Sequence, residues 1–198
     1  MVKVKLYVEG GGDGKELRIA CRRGFHELCG KAGFRLRPVA CGSRNDAFDR
    51  FKTALSVEDD YYPMLLVDSE AEVCDIGRPW SHLAKQDGWK KPRRAKDNQA
   101  QLMVQCMETW CVADRKALRG FFGQKLQEGA LPPLDGLERR SKDDVQRKLN
   151  HATRKCGDDR MYKKGKRSFE LIATLDPSVL EEHLPHFKRL CETLRSLM

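Results

Sequence analysis

The sequence predicts an α/β fold, a parallel sheet flanked by helices, with a basic helical C-terminal extension. Two observations carry the fold class. Over residues 1–123, short runs of β-branched and aromatic residues alternate with segments whose apolar residues recur at helical spacing, the pattern of βαβ units. Past Pro132-Pro133 the strand signals cease and the chain turns helical and basic. With 198 residues the chain is long enough to bury a substantial apolar core. The expected division is a core over 1–123, with an irregular excursion at 71–99, and a basic extension over 124–198 packed on it.

Residues 2–8 (Val-Lys-Val-Lys-Leu-Tyr-Val) read as the first strand, which meets Glu9 and then Gly10-Gly11-Gly12-Asp13-Gly14. A helix follows over about 15–32, with Leu17, Cys21, Phe25, Leu28 and Ala32 on one face and Gly33 as its stop. Residues 34–40 form a second strand, Gly42-Ser43 break it, and 46–55 make an amphipathic helix with Phe48, Phe51 and Leu55. The third strand is 62–67, and the excursion holds one short helix near 80–85. Residues 101–106 read as a fourth strand followed by a helix through Trp110, Ala113, Leu118 and Phe121 to Gly123; a helix throughout is the rival. In the extension, Ser141 caps a helix with Val145, Leu149, Ala152 and Cys156 on its apolar stripe. A basic turn at 162–167 precedes a helix with Phe169, Leu171 and Ile172, and a last helix spans about 185–197.

The net charge of +9 has a location, because residues 139–167 hold 12 Lys/Arg against 4 Asp/Glu. A basic patch of this kind is the footprint of a polyanion-binding surface, although a solvated helix face or a dock for an acidic protein fits as well. Arg147, Lys148, Arg154, Lys155, Lys163 and Lys166 are the candidate phosphate clamps, with Lys90 and Arg93 beside Trp89, the best-placed base-stacking aromatic. The eight cysteines are scattered without a C-x-x-C pair, so zinc spacing is absent and reduced thiols in a cytoplasmic setting are expected. No apolar run is long enough for a membrane span, no signal-like segment opens the chain, and no Walker A motif occurs. His183-x-x-His186 lacks a fourth ligand and reads as a surface pair.

The chemistry concentrates at two strand ends. Glu9 leaves the first strand into residues without side chains, where a carboxylate can approach a metal and a phosphodiester, and the next helix points its amino end there. An ordinary glycine turn would have the same composition. Asp68-Ser69-Glu70 leaves the third strand, with Glu72 nearby. Carboxylates so close repel one another unless a cation compensates them, and oxygen donors of this type hold Mg²⁺ or Mn²⁺. Glu108 joins the candidate metal ligands if the fourth strand forms.

These residues resemble a known family. Glu9, Gly10 and Asp13 with Asp68-x-Glu70 are similar to the Toprim domain of topoisomerases, primases and overcoming-lysogenization-defect nucleases. More closely, the chain resembles small bacterial Toprim-like proteins often encoded beside an AAA- or ABC-type ATPase. That resemblance covers nearly the whole length and includes Cys41-Gly42, Leu66-Val67-Asp68-Ser69-Glu70, Leu102-Met103-Val104-Gln105, Met107-Glu108-x-Trp110, Ala113-Asp114 and Tyr162-x-Lys164-Gly165-Lys166. It implies Glu9 as general acid/base or metal ligand and Asp68 as a magnesium ligand; Glu70 stands where the family has a second aspartate.

The expected function is metal-assisted phosphodiester hydrolysis of DNA or RNA: Asp68 and Glu70 hold Mg²⁺, Glu9 activates water, and Lys164 stabilises developing charge. The resemblance adds an anti-phage role beside an ATPase partner. A non-catalytic adaptor that binds an ATPase or nucleic acid is the alternative, and homo-oligomerisation stays open.

Overall fold

The computed structural model describes residues 2–57, 60–158 and 161–197. In chain order these form β1 (Lys3–Val8), α1 (Lys15–Lys31), β2 (Leu36–Ala40), α2 (Arg44–Ser56), β3 (Tyr61–Asp68), α3 (Pro79–Asp87), β4 (Ala100–Met103), α4 (Met107–Ala113), α5 (Arg115–Phe122), α6 (Lys142–Thr153), α7 (Lys166–Thr174), α8 (Pro177–His183) and α9 (Pro185–Leu197), joined by short 3-10 turns.

Side-chain alternation along the strands decides how the sheet is buried. Val4, Leu6 and Val8 of β1 and Met64 and Leu66 of β3 point to one face, where they meet α1, α4 and α6 to α9. Tyr7, Leu65, Val67 and Leu102 point to the other, against α2, α3 and the buried Trp80 and Trp89. Both faces of the sheet are therefore covered, as a parallel sheet requires. The first layer draws on both the N-terminal and the C-terminal parts of the chain. α7 lies against α1 so closely that a methyl on Gly24 would come within 2.5 Å of the Phe169 carbonyl oxygen.

The four strands are all parallel, in the order β2-β1-β3-β4. Right-handed crossovers then put α1 on one face and α2 and α3 on the other. Neighbouring β1 and β3 send their chains to opposite faces, so a crevice opens between their carboxyl ends, the usual place for a ligand on such a sheet.

The α/β parallel fold is as expected from the sequence, with local differences. β4 is confined to Ala100–Met103; its last carbonyl accepts from Ser69 N, and beyond it Gln105 O accepts from Glu70 N outside the regular ladder. The helix expected through Trp110 to Phe121 is two helices. Asp114 takes an extended conformation between them, and its buried carboxylate accepts from Ala117 N at 2.9 Å, capping α5, and from Asp176 N at 2.8 Å. α8 is an element the periodicity missed; Asp176 caps it and Pro177 starts it. Trp89 is not free to stack on bases: it is buried and stacks on Phe48, with ring centroids 4.2 Å apart.

Candidate metal centre

Glu9 is placed by the sheet itself. Its N–H donates to Leu66 O at 3.0 Å, continuing the β1–β3 ladder for one residue, and its Oε2 accepts from Asp68 N at 3.1 Å. The chain then has to turn sharply into α1. Gly10 and Gly42 exchange backbone hydrogen bonds of 2.8 Å, and Gly11, at φ +88°, passes where a Cβ would lie 3.0 Å from that of Ala40. Glycine is thus required here by packing as well as by any ligand.

Asp68 ends β3 almost fully buried, with Oδ1 accepting from Met107 N at 2.8 Å in the first turn of α4. The next residues are turned by two backbone bonds, Ser69 N to Met103 O and Glu70 N to Gln105 O, each 3.0 Å. This turn holds Glu70 at φ +63°, which makes it the sole non-glycine with positive φ among the described residues. Such a conformation is costly for a side-chain-bearing residue, and its usual location is a functional site.

Glu9, Asp68 and Glu70 each bring one oxygen to within 4.8 Å of the others. Their donor chemistry fits a hard divalent cation such as Mg²⁺ or Mn²⁺. Burial drives the carboxyl of Asp68 up to about 8, reinforced by Glu9 and Glu108 and opposed by Lys142 and Lys164. Burial also raises Glu9, against the pull of Arg44 and the Asp68 N–H. A cluster of carboxylates that resist ionisation is one that lacks positive charge.

Two cations that the sequence reading did not single out supply part of that charge. Arg44 opens α2 and pairs with both oxygens of Asp87 at 2.7 Å, reaches Glu9 Oε2 at 3.3 Å and donates to the Asp68 carbonyl. Lys142 opens α6, and its Nζ contacts Glu70 at 2.6 and 2.8 Å and Asp68 Oδ2 at 3.7 Å. Each stands just after a serine cap, where a basic residue opposes the helix dipole. That placement against preference was the one signal available in the sequence.

The remaining candidates lie around this centre at different distances. Glu108 is buried in the first turn of α4 and accepts from the Tyr162 hydroxyl at 2.8 Å; it is outside the triad. Burial pushes it upward, but Lys164 and the Tyr162 hydroxyl outweigh that and hold its carboxyl below the ordinary glutamate range. Glu72 is exposed and lines two other cavities, so the structure does not bring it to the cluster. Lys164 lines a cavity of about 270 Å³ with Glu9, Gly10, Gly11, Gly12 and Asp68.

Lys163 and Lys166 are exposed on either side of Lys164, and Arg154 and Lys155 are exposed in the turn after α6. Arg147 and Lys148 pair with Asp144 at 2.6 and 3.1 Å, which offsets part of their charge. Lys90 and Arg93 are exposed beside the buried Trp89, in the excursion. His183 ends α8, whereas His186 lies in α9 and is paired through Nδ1 to Glu138 at 2.6 Å, so the two are not a ligand pair. All eight cysteines are free, Cys74 alone being exposed, and among the described residues no helix is long and apolar enough to cross a membrane.

Compared with known families, residues 8–195 match the model of the family described as Domain of unknown function (DUF4276). The chain belongs to the DUF4276 family. Nothing among curated proteins or solved structures matches it. In this DUF4276 protein the carboxylate triad lies at the β1–β3 crevice, where the sheet topology leaves room for a ligand.

Proposed function

We propose that this DUF4276 protein is a Toprim-like, divalent-cation-dependent nuclease that hydrolyses phosphodiesters of DNA or RNA. The observation that carries the reading is the convergence of Glu9, Asp68 and Glu70 at the crevice between β1 and β3. The surroundings favour a phosphate-bearing substrate. α1, α2, α6 and α7 each begin with a basic residue, Lys15, Arg44, Lys142 and Lys166. α1 and α2 start at the carboxyl edge of the sheet, Lys142 reaches the triad, and the loop into α7 lines its cavity. Positive helix ends carrying positive side chains gather anions, and phosphate oxygens would join the carboxylates that already pair with Arg44 and Lys142.

A bound Mg²⁺ or Mn²⁺ would polarise the phosphodiester and lower the pKa of water. Glu9 commits Oε2 to Asp68 N and Arg44, which fixes its plane and leaves Oε1 for the cation or for a water proton. Asp68 likewise commits Oδ1 to α4 and turns Oδ2 toward the centre. Lys164, which lines the cavity together with the glycine loop, would neutralise charge that develops on the phosphate. Lys163, Lys166, Arg154 and Lys155 would hold backbone phosphates without reading sequence.

The test is cleavage of single- and double-stranded DNA and RNA by purified protein with Mg²⁺ or Mn²⁺, repeated with Glu9→Ala and Asp68→Ala. The expected result is cutting that both substitutions abolish; activity that survives both would remove these roles. A role beside an AAA- or ABC-type ATPase in anti-phage defence is supported by the family resemblance and by the lack of a Walker A motif in this chain. One observation favours a non-catalytic adaptor instead: Lys142 already neutralises Glu70. An adaptor would retain a partner ATPase in a pull-down with Asp68→Ala and cut no substrate.

A further inference from the structure

Resting on the metal reading above, we infer that Lys142 takes the place of a second cation, so that the centre binds a single divalent ion, between Glu9 and Asp68, with the Lys142 ammonium seated at Glu70. Geometry is the first argument. Lys142 Nζ engages both oxygens of Glu70, at 2.6 and 2.8 Å, and stands 3.7 Å from Asp68 Oδ2. A two-ion phosphodiester site holds its ions about 3.5–4 Å apart and bridges them with a shared carboxylate. The ammonium occupies the place of the ion that Asp68 and Glu70 would share, and it consumes the donors that ion would need.

Charge is the second argument. Arg44 pairs with Asp87 and also reaches Glu9, and Lys164 acts on both Glu108 and Asp68, so Asp87 and Glu108 belong in the count with the triad. These five carboxylates face three cations, Arg44, Lys142 and Lys164, and a single divalent ion completes neutrality. A second divalent ion would leave a partly buried centre with two excess positive charges, which desolvation opposes. The position of Lys142 on its helix is the third argument. As the first residue of α6 it is disfavoured by the helix dipole, and two carboxylates are what hold it there.

The experiment is a Mn²⁺ count by isothermal titration and by electron paramagnetic resonance on wild-type protein and on Lys142→Met, Lys142→Arg and Asp68→Asn. Wild type is expected to bind one Mn²⁺ per chain, Lys142→Arg one, and Lys142→Met two, the first of them roughly tenfold tighter because an opposing charge has gone. Asp68→Asn is expected to lose binding. Two ions in wild type would overturn the inference and leave the metal reading standing, and so would a single ion of unchanged affinity in Lys142→Met. No Mn²⁺ in wild type would remove the metal reading itself. The wild-type count is decisive whether or not any variant folds.

Discussion

Glu70 and Glu108 both stand close to Asp68 and solve the same problem, a carboxylate crowded by another carboxylate, in opposite ways. Glu70 is 28% exposed at its side chain, is held in a left-handed backbone conformation, and meets a flexible lysine at the amino end of α6. Glu108 is 1% exposed and accepts from the hydroxyl of Tyr162, itself buried, with Lys164 as the nearby charge. One partner can swing away; the other is fixed in the core. Glu70 is thus the acid that can exchange partners, and Glu108 the one whose environment stays constant.

Substitutions that separate activity from stability probe this contrast most strongly. Glu70→Gln is expected to lower metal-dependent cleavage about a hundredfold while moving the melting temperature by no more than about 1 °C, since a part-exposed ion pair contributes little. Glu108→Ala should do the reverse. It strands the Tyr162 hydroxyl in the core and costs about 2–3 kcal/mol, or about 4–10 °C in a chain of this size. Thermal melts beside cleavage assays check both, and a Glu70 variant that unfolds while the Glu108 variant stays stable would reverse the assignment.

The next effect depends on pH. Asp68 has a folded-state carboxyl near 8 against an ordinary value of 3.8, so the folded protein retains a proton there that the unfolded chain releases. In cation-free buffer, folding stability contributed by this proton is fully present below about pH 4 and is lost as pH rises toward 8, a change on the order of a few kcal/mol. Asp68→Asn should flatten the profile, and Mg²⁺ should raise the melting temperature more at pH 8 than at pH 5. Denaturation curves of wild type and Asp68→Asn across this range, with and without chelator, test the sign; a stability difference, wild type minus Asp68→Asn, that rises with pH in the cation-free protein would contradict it.

Smaller effects on cleavage are expected from the groups that hold the acids. Arg44→Lys keeps a charge but loses the two-pronged grip on Asp87, and should slow cleavage about tenfold by letting Glu9 rotate. Tyr162→Phe leaves the buried Glu108 Oε1 without its donor and should cost at least about 2–3 kcal/mol, seen as a fall in melting temperature with cleavage nearly unchanged.

The strands were legible because alternation such as Val4, Leu6, Val8 is written locally, and parallel packing followed from the intervening helices. Glu9 and Asp68 were legible for the same reason, as acids at the ends of buried runs. Strand order was not, and it is strand order that puts these two ends side by side at the crevice. Arg44 and Lys142 escaped notice because a basic residue after a serine cap reads as a solvated first turn; their partners lie 35 and 72 residues away in sequence. Glu72 was included on proximity in sequence, yet the turn at Glu70 sends the chain elsewhere. The break at Asp114 is not legible because apolar residues continue at helical spacing on both sides of it, and the second partner of its carboxylate, Asp176 N, lies 62 residues away.

The contact between α7 and the start of the chain has a consequence for timing. Phe169 packs where a side chain on Gly10 would lie, 3.0 Å from such a Cβ, and its carbonyl fills the gap that Gly24 leaves in α1. The packing around the loop that follows Glu9 is therefore completed only once residue 169 has left the ribosome, after Lys142 and Lys164. A nascent chain carries its acids long before the cations and the aromatic ring that surround them, so the complete centre forms only when the chain has folded as a whole.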